Sequence, residues 1–132
     1  MTRAIILVDH GSRVPEANRL LDEVAELLGR RTTDRIYVAH MELAEPTLTQ
    51  AFAAAAGEGA DCVYVFPYFL APGRHSTDDI PRQCEQAARA AGGVAYHCGE
   101  PIGLEPELAA LILRRAAACP SSAYQSPRES AT

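Results

Sequence analysis

Three short segments carry side chains able to hold a metal ion or move a proton. They are Asp9-His10-Gly11-Ser12-Arg13, His40-Met41-Glu42 and Pro72-Gly73-Arg74-His75. Imidazole serves as ligand or general base near neutral pH. With a carboxylate it suits divalent iron, cobalt, nickel or zinc rather than calcium or magnesium. Three ligands (His10, His75 and Glu42) would leave coordination positions open, which marks a reactive site rather than a structural one. Gly11 and Gly73 permit sharp turns and close backbone approach. A helix start follows each histidine segment, and its positive end favours the neutral, ligating imidazole. Arg13 and Arg74 flank the histidines, where guanidinium groups suit bidentate recognition of carboxylates.

A single strand-end histidine is by default a packing residue; two in matching contexts are not so easily dismissed. Glu45 reads as a helix-start charge, whereas Glu42 stands beside the histidines. Alternation turns His40 to the face opposite Met41, so it reads as packing or support. His97 and Cys98 lack spacing partners and read as incidental. Pro67, Tyr68, Phe69, Leu70 and Pro72 could line a flat pocket.

The elements that must position these groups follow from periodicity. Residues 4–8 form a continuous apolar run, as in a strand buried on both faces. Pro15 starts a helix whose Ala17, Leu20, Leu21, Val24, Leu27 and Leu28 share one face. Residues 36–41 predict a second strand, and Pro46 opens a second helix through Leu48, Ala51, Phe52 and Ala55 to Gly57. Residues 62–66 predict a third strand. A hydroxyl cap at Ser76 starts a third helix running to Ala91. Residues 94–96 make a short fourth strand, and Pro106 begins a helix with Leu108, Leu111 and Ile112 on one side. Residues 1–119 thus predict one α/β domain, and residues 120–132 a disordered tail without Leu, Ile, Val or Phe. Alternating strands and helices predict three layers, with a four-stranded parallel sheet of order 2-1-3-4 and helices on both faces. Ligands bind such sheets beyond the carboxyl ends of the strands, where the order switches. All three segments leave those ends.

Composition narrows the chemistry. All twelve basic residues are arginine, which excludes Schiff-base chemistry, pyridoxal phosphate attachment and a Walker-type phosphate loop. The net charge of −5 argues against broad nucleic-acid or membrane-surface binding. No apolar run approaches a membrane span, and the start of the chain does not read as a signal peptide. Cys62, Cys84, Cys98 and Cys119 have no CxxC spacing, so reduced thiols in a cytoplasmic protein are expected.

Three blocks taken together, Asp9-His10-Gly11-Ser12-Arg13 with Asn18, residues 39–47 around His40-Met41-Glu42, and residues 67–75 with Asp79-Ile80-Pro81, resemble the short, single-domain sirohydrochlorin chelatases. The similarity covers residues 4–113. It implies a lyase inserting Fe2+ or Co2+, with Ni2+ in related proteins, into an isobacteriochlorin carrying eight carboxylates, for sirohaem or cobalamin biosynthesis. The resemblance implies that His10 and His75 bind the metal and act in its insertion, with Glu42 the matching glutamate. It also implies a homodimer and no organic cofactor. Ser12, Arg13 and Arg74 are the expected anchors for substrate carboxylates, and the motif variant leans toward the sirohaem branch.

Two rival enzymatic or binding readings keep part of the pattern. A metal-delivery protein would keep the histidines without a macrocycle-sized pocket. A histidine phosphatase wants an arginine before its histidine, where Asp9 would repel phosphate. A protein-binding α/β module is neither supported nor excluded by the sequence.

Overall fold

A computed structural model describes residues 1–71, 73 and 78–122 in full, and residues 74–77 and 123 in their backbone but not their side chains. Its elements run β1 (Arg3–Asp9), α1 (Pro15–Gly29), β2 (Arg35–His40), α2 (Leu48–Gly57), β3 (Cys62–Pro67), α3 (Arg74–Ala90), β4 (Ala95–Cys98) and α4 (Pro106–Ala118), followed by a 3-10 turn at Ser121–Ala123. The sheet is parallel throughout, in the order β2-β1-β3-β4. This is the topology the apolar runs predict. The rest of the expected tail, residues 124–132, lies outside the described residues.

One face of the sheet is sealed. Ala4, Ile6 and Val8 of β1, Ala39 of β2 and Val63 and Val65 of β3 pack against Leu48, Ala51, Phe52 and Ala55 of α2. Ile80, Cys84, Ala87 and Ala88 of α3 complete this core. Strand alternation sends every second residue there, and the small alanines let the helices approach the sheet closely. Thr47 starts α2 with a full capping box, its hydroxyl accepting from Gln50 N–H while the Gln50 side chain accepts from Thr47 N–H. The helix therefore begins after Thr47 rather than at Pro46.

The opposite face is only partly covered. Leu21 is the single buried residue of α1. Leu20 and Leu27, expected on the same face, are exposed, while Val24 and Leu28 are half-buried. Between α1 and the sheet lies an apolar cleft of about 320 Å³ lined by Ile5, Leu7, Val24, Leu28, Phe66 and Tyr68, among others. Helix α4 has no buried residue at all. Leu108 and Leu111 are half-buried, but Ile112, expected beside them, is 65% exposed. The short strand β4 also differs from expectation, ending at Cys98 rather than Tyr96.

Candidate metal site

The ladder between β1 and β2 continues past the last residue of each strand. Met41 N–H donates to the Asp9 carbonyl at 2.9 Å, and Glu42 N–H donates to the His10 carbonyl at 3.2 Å. His10 and Glu42 therefore leave the sheet side by side, as topology alone predicts. Leu43, with φ of 69°, sits in the left-handed region that leucine rarely occupies, and turns the chain immediately after Glu42.

Inside the ladder Asp9 stands directly opposite His40. Registered residues of a parallel pair point to the same face, so the two side chains meet: His40 Nδ1 lies 2.5 Å from Asp9 Oδ1. A carboxylate oxygen accepts, so this bond is made by the tautomer with its proton on Nδ1. The same Asp9 oxygen accepts the Gly11 N–H at 3.0 Å. His40 is 2% exposed and is the only buried polar side chain among the described residues. Its backbone N–H is also tied, donating to the Pro46 carbonyl at 2.8 Å.

Gly11 is required here. Its φ is +88°, and a Cβ would stand 1.9 Å from the carbonyl oxygen of Glu42. The next turn is clamped by α1: Asn18 accepts from Ser12 N–H at 2.9 Å and donates back to the Ser12 carbonyl at 2.7 Å. The Ser12 hydroxyl accepts from Val14 N–H at 3.0 Å, so this expected substrate contact is engaged in the turn.

The His10 ring stacks on Phe69, with centroids 4.5 Å apart and planes 25° from parallel. Stacking uses the ring face and leaves both nitrogens, which lie in the ring plane, available to a ligand. His10 and Glu42 are exposed. Among the described residues neither the His10 ring nor the Glu42 carboxylate has a hydrogen-bond or ion-pair partner. Phe69 is fixed from behind, its carbonyl accepting Ile102 N–H at 3.0 Å, while Leu70 accepts Gly103 N–H at 2.8 Å. The site thus offers one imidazole and one carboxylate, neither hydrogen-bonded nor ion-paired among the described residues.

His75 falls in the first turn of α3, which starts at Arg74 rather than after a Ser76 cap. The side chains of His75 and Arg74 lie outside the described residues. Among the described residues no three His, Cys, Asp or Glu side chains converge to hold an ion. Arg13 is exposed and makes no ion pair among them. The apolar pocket expected from residues 67–72 is divided: Pro67 is buried, Tyr68 lines the α1 cleft, Phe69 supports His10, Leu70 is exposed, and Pro72 lies outside the described residues. A second cavity of about 590 Å³ sits between the sheet and α4, lined by Tyr64, Phe66, His97, Glu100, Glu105 and Leu108, among others. Neither His10 nor Glu42 reaches it. The role of Asp9 is what sequence reasoning missed; its position opposite His40 at the ends of two neighbouring strands was the available signal.

The chain matches the CbiX family model over residues 4–119. It is 44% identical over 100 residues to a chloroplastic sirohydrochlorin ferrochelatase from Arabidopsis thaliana, covering 75% of this chain and 44% of that one. A sirohydrochlorin cobaltochelatase from Sulfurisphaera tokodaii is 32% identical over 111 residues, covering 84% of this chain and 88% of that one. The crystal structure of the sirohydrochlorin chelatase SirB from Bacillus subtilis subspecies spizizenii, in complex with cobalt, superimposes with a TM-score of 0.80 at 30% identity, over 89% of this chain and 50% of that one. The chain spans about half the length of several curated relatives it matches. Sequence, topology and the arrangement of the β1 and β2 ends agree: the chain belongs to the CbiX family.

Proposed function

We propose that this chain inserts a divalent metal, iron or cobalt, into sirohydrochlorin. The observation that carries the reading is the backbone bond that sets His10 and Glu42 side by side at the open end of the sheet, with neither side chain hydrogen-bonded or ion-paired among the described residues. Kinship with proteins named ferrochelatase and cobaltochelatase supports it.

Insertion requires the metal to shed water, the ring to be aligned, and two pyrrole protons to leave. His10 binds the incoming ion through an in-plane nitrogen while Phe69 holds the ring upright. His75, in the first turn of α3, supplies the second imidazole as ligand or base in this reading. Glu42 completes the ligation or accepts a proton; a carboxylate beside the ion also lowers the cost of removing its water. Arg13 and Arg74 engage the peripheral carboxylates of the macrocycle. The larger cavity under α4 is not the macrocycle site in this reading, because Glu100, Glu105 and Glu107 would repel a polyanion there. The active unit is a homodimer in the cytoplasm, where its four free thiols stay reduced.

Anaerobic mixing with sirohydrochlorin and Fe(II), Co(II) or Ni(II), followed by absorption of the macrocycle, tests the proposal. Wild type is expected to accelerate insertion, and His10→Ala and His75→Ala to lose at least 100-fold. Near wild-type turnover in both variants would refute the assignment. Tight metal binding with no spectral change of the macrocycle would instead identify a metal-delivery protein.

A further inference from the structure

We propose that His40 and Asp9 are positioning residues for metal capture, setting where the His10 imidazole stands relative to Glu42. The inference rests on the chelatase reading for its turnover consequence but not for its metal-binding consequence. A histidine at 2% exposure cannot meet a macrocycle, so its influence must pass through what it holds. It holds Asp9 at 2.5 Å. That one carboxylate oxygen also takes the Gly11 N–H. Asp9 and Gly11 are the residues on either side of His10, so this one atom fixes the peptide that follows the ligand and anchors the side chain of the residue before it, while the preceding peptide's carbonyl accepts the Met41 N–H.

The second strand is fixed by the same residue. His40 precedes Glu42 by two positions, and its N–H is bonded to the Pro46 carbonyl across the turn that Glu42 begins. The His40–Asp9 bond therefore ties the two ligand-bearing turns together, beneath the weaker 3.2 Å bond between Glu42 and His10. Gly11 packs against His40 Cβ as well as against Glu42, its built Cβ lying 3.2 Å from the former. A core that needed only volume here would take leucine. Groups that orient a metal ligand without touching the ion commonly change affinity or activity by about 10–100-fold.

The discriminating pair is His40→Leu and His40→Asn in the full chain. Leucine fills the space without a donor. Asparagine places an amide N–H where Nδ1–H stood and can restore the bond to Asp9. Three quantities are measured: Co(II) affinity without macrocycle, kcat and KM for insertion into sirohydrochlorin, and Tm. His40→Leu is expected to weaken Co(II) binding by about 10–100-fold and lower kcat correspondingly, with KM for the macrocycle within about twofold. His40→Asn is expected to return both to within about threefold of wild type. Unchanged Co(II) affinity in His40→Leu, or equal impairment in His40→Asn, would overturn the proposal. If His40→Leu does not fold, Asp9→Ala cuts the same bond from its half-buried end and must show the same weakening; wild-type affinity there would overturn it equally. A wild-type protein that binds Co(II) but never transfers it would sink the chelatase reading alone, leaving the affinity comparison to decide this one.

Discussion

Two corners of the sheet are built from nearly the same parts. At the β1–β2 corner a histidine, His10, stacks on Phe69 next to a glycine with no room for a side chain. At the β4 corner His97 stacks on Tyr64, with centroids 5.8 Å apart and planes 16° from parallel. Gly99 there has no room either, a built Cβ falling 2.1 Å from the Tyr64 hydroxyl oxygen. The difference lies in what stands behind the histidine. His10 has the Asp9–His40 pair, with His40 buried, and a ladder that runs on to Glu42. Behind β4 the Cys84 and Cys98 thiols share a hydrogen bond; it pushes Cys84 up, helped by burial, and Cys98 down. That pair is no carboxylate bonded to a histidine, and the acids that share a cavity with His97, Glu100 and Glu105 among them, come from the segment after β4 rather than from an adjoining strand. A histidine, a glycine and an aromatic ring make a stable strand end; a second donor on an adjoining, fixed strand makes a site.

Substituting the two glycines should separate the corners most strongly. Gly11→Ala puts a methyl group into the Glu42 backbone carbonyl and strains a φ of +88°, so insertion should fall more than 100-fold. Gly99→Ala meets the tip of a tyrosine ring, so the expected cost is ~1–2 kcal/mol of stability with turnover within threefold. Initial rates alongside thermal melts check both; a Gly11→Ala protein with normal turnover would erase the contrast.

A smaller gap is expected between the acids. Glu42→Ala should reduce insertion by about 10–100-fold and weaken Co(II) binding, as loss of a ligand or proton acceptor would. Glu100→Ala, on the rim of the α4 cavity, should leave both unchanged. Isothermal titration with Co(II) and steady-state rates report this directly, and equal effects would place the metal elsewhere.

The mildest change concerns the aromatic supports. Phe69→Leu removes a stacking partner whose contribution is ~0.5–1.5 kcal/mol, so kcat should drop by about threefold to tenfold. Tyr64→Leu should leave kcat alone and lower only the melting temperature. A drop in kcat for Tyr64→Leu and none for Phe69→Leu would reverse the roles assigned to the two corners.

Much of this contrast was legible in the residues. The uninterrupted apolar run at residues 4–8 identified a central strand, and parallel crossovers then placed the ends of β1, β2 and β3 together. That brought Glu42 next to His10 across thirty-odd positions of sequence. The Asp9–His40 bond was hidden because alternation tells which face a residue takes but not its partner, which register alone supplies. Helix α4 misled for a related reason. Its apolar spacing predicts a buried side, yet Ile112 and Leu113 are 65% and 69% exposed; periodicity states what a helix can bury, not whether a surface lies there to receive it. In α1 the stripe was wider than the contact, leaving Leu20 and Leu27 outside.

The central claim is that the ion is taken up at the β1–β2 corner through His10. Its most direct test is the visible absorption of Co(II) added to wild type, His10→Ala and His97→Ala, without macrocycle. Wild type and His97→Ala should develop the same ligand-field bands with the same affinity, while His10→Ala should lose them. Bands that survive His10→Ala, or vanish in His97→Ala, would contradict it.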